Sequence, residues 1–275
     1  MFSGPNSITI GIIMSKSTIF IHGNSGSMED WRLVSDHLED STESRSMQVL
    51  GCSGRKSHIY DMKTICADII EQIKKTSLNE FILVGHSLGG HIVHEICDSE
   101  YIRDRCSGVL TFGAPPLTLQ NFGLAPFLEN LNSSIFSSEL IEEDTLRAVY
   151  FENFTGNSLT YEAFKASFES ADGLFRSNLF ASVMRGEFRD EVTALNSFEK
   201  PVVFALCNED PYINQEYIAE ASKRIPLSKT ITLSSVANHY PHFEKAEEIA
   251  KIISSMLLTD EYQEKGKVQY ETGHA

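Results

Sequence analysis

The sequence predicts an α/β fold: a mostly parallel central sheet, helices on both faces, and a helical segment inserted between its strands. Three observations predict it. Short apolar runs of strand length alternate with stretches whose apolar residues recur at helical spacing. That alternation breaks once, between residues 116 and 199. Finally, FILVGHSLGGHIVHEI (81–96) passes from an apolar strand to a helical pattern through a serine flanked by glycines. Strands alternating with helices imply parallel pairing, right-handed crossovers and a sheet covered on both sides.

The first two runs, ITIGIIM (8–14) and STIFIHG (17–23), lie close enough to pair as strands. Residues 30–39 read as a helix with Trp31, Val34 and Leu38 on one face, and MQVLG (47–51) reads as a third short strand. Residues 60–75 carry apolar side chains at 62, 65, 66, 69, 70 and 73, a clear helical stripe. Strand 81–84, helix 88–98 and strand GVLTFGAPP (108–116) follow, the last closed by two prolines. After the break come strand PVVFALCNED (201–210), helix 212–224, strand TITLSSV (230–236) and helix 243–258.

The inserted segment has no strand pattern, and ten of the seventeen phenylalanines fall between Phe122 and Phe188. Most are expected to pack as a private core, with two to four facing a pocket over the sheet edge. The residues after Leu258 are polar and are expected to form a flexible tail. The expected organisation is therefore a core over 1–116 and 199–260, a helical cap over 117–198, and a tail over 261–275.

An apolar content of 41% with 22% charged residues is an ordinary globular balance. The net charge of −15 repels phosphate backbones and anionic lipid, which argues against nucleic acid or a membrane as partner. Five scattered cysteines, at 52, 66, 97, 106 and 207, fit neither a disulfide framework nor a zinc motif. The N-terminus lacks a basic start and a long apolar run, so a cytoplasmic setting is expected.

Gly85-His86-Ser87-Leu88-Gly89 has the G-x-S-x-G pattern of a nucleophile elbow, set between a strand and a helix. Small residues at 85 and 89 let the chain turn sharply, with the Ser87 hydroxyl projecting at the sheet edge. The helix that begins at Leu88 aims free N–H groups at the same point. A serine needs a base, and the base needs an orienting carboxylate. LCNEDPYI supplies Asp210 after a late strand, with Glu209 as competitor; Pro211 makes a turn that exposes Asp210. VANHYPHFEKAEE supplies His239 in the loop after the last strand, with His242 nearer the final helix. Catalytic residues are thus expected at Ser87, Asp210 and His239. The backbone N–H groups of Leu88 and of Asn24, in IHGNSGS, are expected to form an oxyanion hole. The Asn24 side-chain amide is a further candidate contact.

The set IHGN, GHSLGG, CNEDPYI and NHYPHFEK resembles the α/β-hydrolase superfamily over nearly the whole chain, and the inserted segment matches that family's cap. Within it, HGNSGS, SLGGHIVHE, GAPP and DGLFR (172–176) are most similar to the N-acyl-homoserine lactone hydrolases of quorum quenching. Those enzymes open a lactone ring with Ser, His and an acidic residue and without metal. Two departures alter the pocket rim: LGCSGRKS (50–57) lacks the family's usual Asp-Leu-Pro start, and Asn238 stands where a glycine usually precedes the catalytic histidine.

The resemblance implies an α/β-hydrolase fold and a serine hydrolase acting on a small-molecule ester or lactone with an apolar acyl group, with no cofactor. Tyr150, Phe151, His86 and Trp31 are candidate substrate contacts. A general carboxylesterase, cleavage of a thioester or carbon–carbon bond, or a non-catalytic receptor on this fold are alternatives. His91 and His94 share a helix face, but no third metal ligand has suitable spacing.

Overall fold

The central strands divide their side chains between two apolar cores, because successive residues of a strand point to opposite faces. In the computed structural model, which describes residues 17–119, 123–156, 158–234 and 237–258, the strands are β1 (Ser17–Ile21), β2 (Glu43–Met47), β3 (Phe81–His86), β4 (Cys106–Phe112), β5 (Val202–Leu206) and β6 (Ser228–Thr232). Ile19, Ile21, Phe81, Leu83, Val109, Val202 and Phe204 belong to one core. Phe20, Ile82, Val84, Leu110, Val203 and Ala205 belong to the other. All strand pairs are parallel, in the order β2-β1-β3-β4-β5-β6.

That order reverses direction at β1: the chain moves outward to β2 and then returns to the far side of β1 as β3. The carboxyl ends of β1 and β3 therefore flank a crevice, where open α/β sheets bind ligands. The HGNSGS loop leaves β1 there, and Ser87 leaves β3 beside it.

Helices α1 (Arg32–Asp36), α2 (Met62–Lys75), α3 (Leu88–Ile96) and α4 (Glu100–Arg105) connect the first four strands. Residues of α2 and α3 fill the first core, and those of α1 join the second. Between β4 and β5 lie α5 (Glu143–Asn153), α6 (Tyr161–Ser170), α7 (Gly173–Met184) and α8 (Glu191–Phe198), with a 3-10 turn at Leu131–Phe136. Helix α9 (Gln215–Ser222) joins β5 to β6, and α10 (Pro241–Glu244) and α11 (Ala246–Leu258) complete the order. No helix among the described residues is long and apolar enough to cross a membrane.

Several element boundaries differ from expectation, each for a local reason. The expected strand at 47–51 is instead β2, ESRSM, on the sheet edge. An edge strand is half solvated, so its polar sequence hides it from an apolar pattern. The helix expected from 212 starts at Gln215, because the N–H groups of Tyr212 and Ile213 donate to the Asp210 carboxylate instead. The final helix is broken at Lys245, whose backbone is not helical. The strand expected over 108–116 ends at Phe112, because Gly113 takes a positive φ of 62°. The strand expected at 8–14 lies outside the described residues.

Two groups of phenylalanines stand out among the described residues of the insertion. Phe154, Phe164, Phe168 and Phe175 are buried in the apolar core. Phe127, Phe136, Phe180 and Phe188 line a cavity above the sheet edge.

Candidate active site

The turn between β3 and α3 holds Ser87 at φ 51° and ψ −122°, a conformation that costs on the order of 1–3 kcal/mol for a residue bearing a Cβ. Two glycines make the turn possible. A Cβ at Gly85 would lie 2.5 Å from the Gly89 carbonyl oxygen, and one at Gly89 would lie 2.1 Å from the Ile21 carbonyl oxygen. The Ser87 N–H donates to the Phe112 carbonyl at 3.0 Å, tying the elbow to β4.

His239 reaches the serine from the loop after β6. Its Nε2 lies 3.0 Å from Ser87 Oγ, and its Nδ1 lies 2.8 Å from Asp210 Oδ2. The other Asp210 oxygen accepts from the N–H groups of Tyr212 at 2.9 Å and Ile213 at 3.2 Å. Both Asp210 and His239 are buried, whereas Glu209 is exposed. The carboxylate is therefore oriented by two backbone donors and in turn orients the imidazole.

His239 is fixed from three sides. Its carbonyl bonds the Nε2 of His86 at 2.8 Å, which requires that nitrogen to carry the proton. Its N–H donates to Asn153 Oδ1 at 3.2 Å, and Asn153 Nδ2 bonds the Tyr212 hydroxyl at 3.0 Å. Asn238 donates from its side chain to the Asn153 carbonyl at 3.0 Å, so the residue that departs from the family's glycine ties this loop to α5.

The HGNSGS loop is held as firmly. His22 Nε2 accepts from the Val49 N–H at 3.1 Å and lies 2.8 Å from Gln48 Nε2, leaving Nδ1 to donate to the Gly23 carbonyl. Burial lowers His22 to about 4. The Asn24 side chain is committed to the scaffold: Nδ2 donates to the Phe136 carbonyl at 2.8 Å, and Oδ1 accepts from Ser25 Oγ at 2.9 Å. Arg176 of DGLFR donates to that same Ser25 oxygen at 3.3 Å. Leu88, as the first residue of α3, has no intrahelical acceptor for its N–H.

Ser87, Leu88, Asn24 and His239 lie together on a cavity of about 380 Å³, walled by Phe127, Phe136, Leu179, Phe180, Val183, Met184 and Phe188. A second cavity of about 210 Å³ lies on the other side of the HGNSGS loop, between it and α6.

The expected substrate contacts are placed elsewhere. Tyr150 packs in the aromatic cluster of the insertion, stacked on Phe154, with its hydroxyl donating to the Leu159 carbonyl. Phe151, next to it on α5, points outward and is 64% exposed. Neighbours on one helix point about 100° apart, so a buried Tyr150 turns Phe151 to the surface. Trp31 is fully buried, stacked on Phe20 against the opposite sheet face. His86 lines the smaller cavity. None of these four lines the cavity that holds Ser87.

His242, the alternative base, lies among Trp31, His86, Phe112 and Phe243. Both its ring nitrogens are buried without a hydrogen-bond partner among the described residues, and burial lowers it to about 3. The unfolded chain protonates this histidine below about 6.5 while the folded chain does not until about 3, so stability is lost as the pH drops through that window. His242→Leu is therefore expected to gain about 2–3 kcal/mol relative to the wild type between pH 7.5 and pH 4.5. Urea unfolding at both pH values measures it; an unchanged difference would contradict a neutral buried imidazole.

Three polar groups important to the arrangement were not evident from sequence. Asn153, Arg176 and Glu191 act across 86, 151 and 100 residues of chain, on His239, Ser25 and His91 respectively. The only advance signal was Arg176, inside the DGLFR stretch. All five cysteines are free and buried, and burial pushes the Cys52 and Cys106 thiols up to about 12, far from nucleophilic. His91, His94 and Glu191 form the one group of three potential metal ligands among the described residues.

In sequence, no curated protein matches the chain. Among solved structures, N-acyl homoserine lactonase AidH complexed with N-hexanoyl homoserine lactone superposes with a TM-score of 0.72 at 18% identity, covering 88% of this chain and 89% of that one. A bromoperoxidase from Bacillus anthracis gives 0.72 at 20% identity, covering 89% and 92%. The thioesterase domain from the curacin biosynthetic pathway gives 0.65 at 17%, covering 88% and 91%. At such identities the likeness is one of fold. The alpha/beta hydrolase family model matches residues 18–252, and the chain belongs to the alpha/beta hydrolase family.

Proposed function

We propose that this protein is a serine hydrolase of carboxylic esters or lactones with an apolar acyl group. The observation that carries the reading is the hydrogen-bonded series Ser87–His239–Asp210, with 3.0 Å and 2.8 Å contacts, opening into an apolar cavity. Ser87 Oγ attacks the carbonyl carbon while His239 Nε2 takes its proton. Asp210 holds the proton on Nδ1 and stabilises the imidazolium that forms. The N–H groups of Asn24 and Leu88 stabilise the oxyanion, each such donor being worth ~10²–10³ in turnover. His239 then protonates the leaving alkoxide and activates a water that hydrolyses the acyl-enzyme.

The helical insertion serves as a cap. Phe136, Leu179, Phe180, Val183 and Phe188 receive the acyl chain, so chain burial contributes about 0.8 kcal/mol per CH₂ group. This agrees with the likeness to a lactonase structure that holds an N-hexanoyl ligand. The test is acid release, in a pH-stat, from N-acyl-homoserine lactones beside p-nitrophenyl esters of matched chain length. Lactone opening with the higher kcat/KM identifies a lactonase, and the reverse order identifies a carboxylesterase. Absence of turnover on both series, with chain-length-dependent binding retained, would overturn the ester and lactone reading.

A further inference from the structure

Helix α3 presents His91 and His94 to Glu191, the first residue of α8, which comes from the far end of the insertion. His91 Nδ1 lies 3.0 and 3.2 Å from the two Glu191 oxygens, and His94 Nδ1 lies 2.7 Å from one of them. All three donor atoms fall within 4.8 Å of one another. Tetrahedral zinc with bonds of about 2.0–2.1 Å separates its ligand atoms by roughly 3.3 Å, close to the 3.0 and 3.2 Å between His91 Nδ1 and the Glu191 oxygens and somewhat more than the 2.7 Å between His94 Nδ1 and Oε2.

The surroundings suit ligation. His94 Nε2 lies 3.1 Å from Thr111 Oγ1, a hydroxyl that can accept its proton and so leave the Nδ1 lone pair for a metal. Glu191 is oriented by the Leu117 N–H, which donates to Oε2 at 2.9 Å. His91 and Glu191 also line the large cavity, which leaves an open position for water or a ligand. Glu95, one turn after His91 on the same helix, lines the cavity too. Its Oε1 is buried with no hydrogen-bond partner among the described residues, an uncommitted acceptor beside the cluster.

We propose that His91, His94 and Glu191 bind a divalent transition cation with the preferences of zinc, tying α3 of the sheet layer to α8 of the insertion. Two imidazoles and a carboxylate favour Zn²⁺ or Co²⁺ over Mg²⁺ or Ca²⁺, which prefer all-oxygen sites. Along α3, His91 and His94 lie about 6 Å and 10 Å beyond Ser87. The ion is therefore placed in the wall of the cavity that also holds Ser87, at least about one helical turn along α3 from it, and the proposal stands independently of the hydrolase reading.

The test is titration of the metal-stripped full chain with Co²⁺, read by its visible d–d absorption, followed by competition with Zn²⁺ and by melting with and without Zn²⁺. The expected result is one ion per chain, the intense bands of a four-coordinate site, displacement by Zn²⁺ and a raised Tm. His91→Ala, at the cavity wall, is expected to weaken binding at least about tenfold, as is Glu191→Gln. His58→Ala, at an exposed position, is expected to leave it unchanged. If Glu191→Gln fails to fold, His91→Ala decides the matter alone. No binding, or binding that survives His91→Ala, would overturn the site.

Discussion

Ser87→Ala is expected to lower turnover on the best substrate of the ester and lactone panel by at least about a thousandfold, with the fold intact. The magnitude follows from the division of labour at the elbow. In the proposed mechanism the hydroxyl oxygen is the atom that bonds to the substrate carbon, and its proton is the one that His239, at 3.0 Å, removes in the first step. What remains in the variant is binding in the apolar cavity plus the backbone donors, which in triad enzymes leaves a small residual activity. Stability is expected to change little, because alanine keeps the Cβ and the same φ of 51°. Steady-state kinetics and a thermal melt on the same preparation separate the two effects. Near-normal kcat with a normal Tm would remove Ser87 from the mechanism.

Gly89→Ala is expected to be strongly destabilising and to abolish activity together. The added Cβ would meet the carbonyl oxygen of Ile21 at 2.1 Å and that of His22 at 2.6 Å. Both are backbone atoms at the end of β1, so no side-chain rotation relieves the overlap. Helix α3 must move away from β1, which pulls Ser87 out of line with His239 and opens the crevice at once. A loss of about 3 kcal/mol or more is expected, seen as a fall of roughly 10 °C in Tm together with loss of activity. Gly156→Ala is the control: its Cβ would meet only Glu244 Oε1 at 3.5 Å, and a change within about 0.5 kcal/mol is expected. Equal melting of the two variants would contradict the elbow packing.

The parts of this site legible in the sequence are those written locally. Gly85, Ser87 and Gly89 occupy one turn, and their spacing states a steric requirement that the clashes at both glycines bear out. Asp210 and His239 each follow a strand, and the parallel topology brings the ends of those strands together. Glu209 and Asp210 are adjacent, but only Asp210 lies where the Tyr212 and Ile213 N–H groups converge.

What the sequence hid were relations between distant segments and the direction of individual side chains. Tyr150 and Phe151 suit a pocket wall equally well by residue type, yet helix α5 turns one into the aromatic core and the other to solvent. Glu191 could not be joined to His91 and His94 by spacing, because no pattern links α3 to a helix nearly a hundred residues later. Asn238, which looks only like a missing glycine, gains its meaning from Asn153 on the insertion. That contact makes the loop holding His239 and the insertion one hydrogen-bonded unit.

The central claim is that Ser87 is a nucleophile activated by His239. The most direct measurement is labelling with a stoichiometric alkyl fluorophosphonate, followed by intact mass and peptide mapping. The account predicts one adduct per chain, on the peptide that holds Ser87, and none in Ser87→Ala. A folded wild-type protein that takes no label, or takes it on another residue, would contradict it.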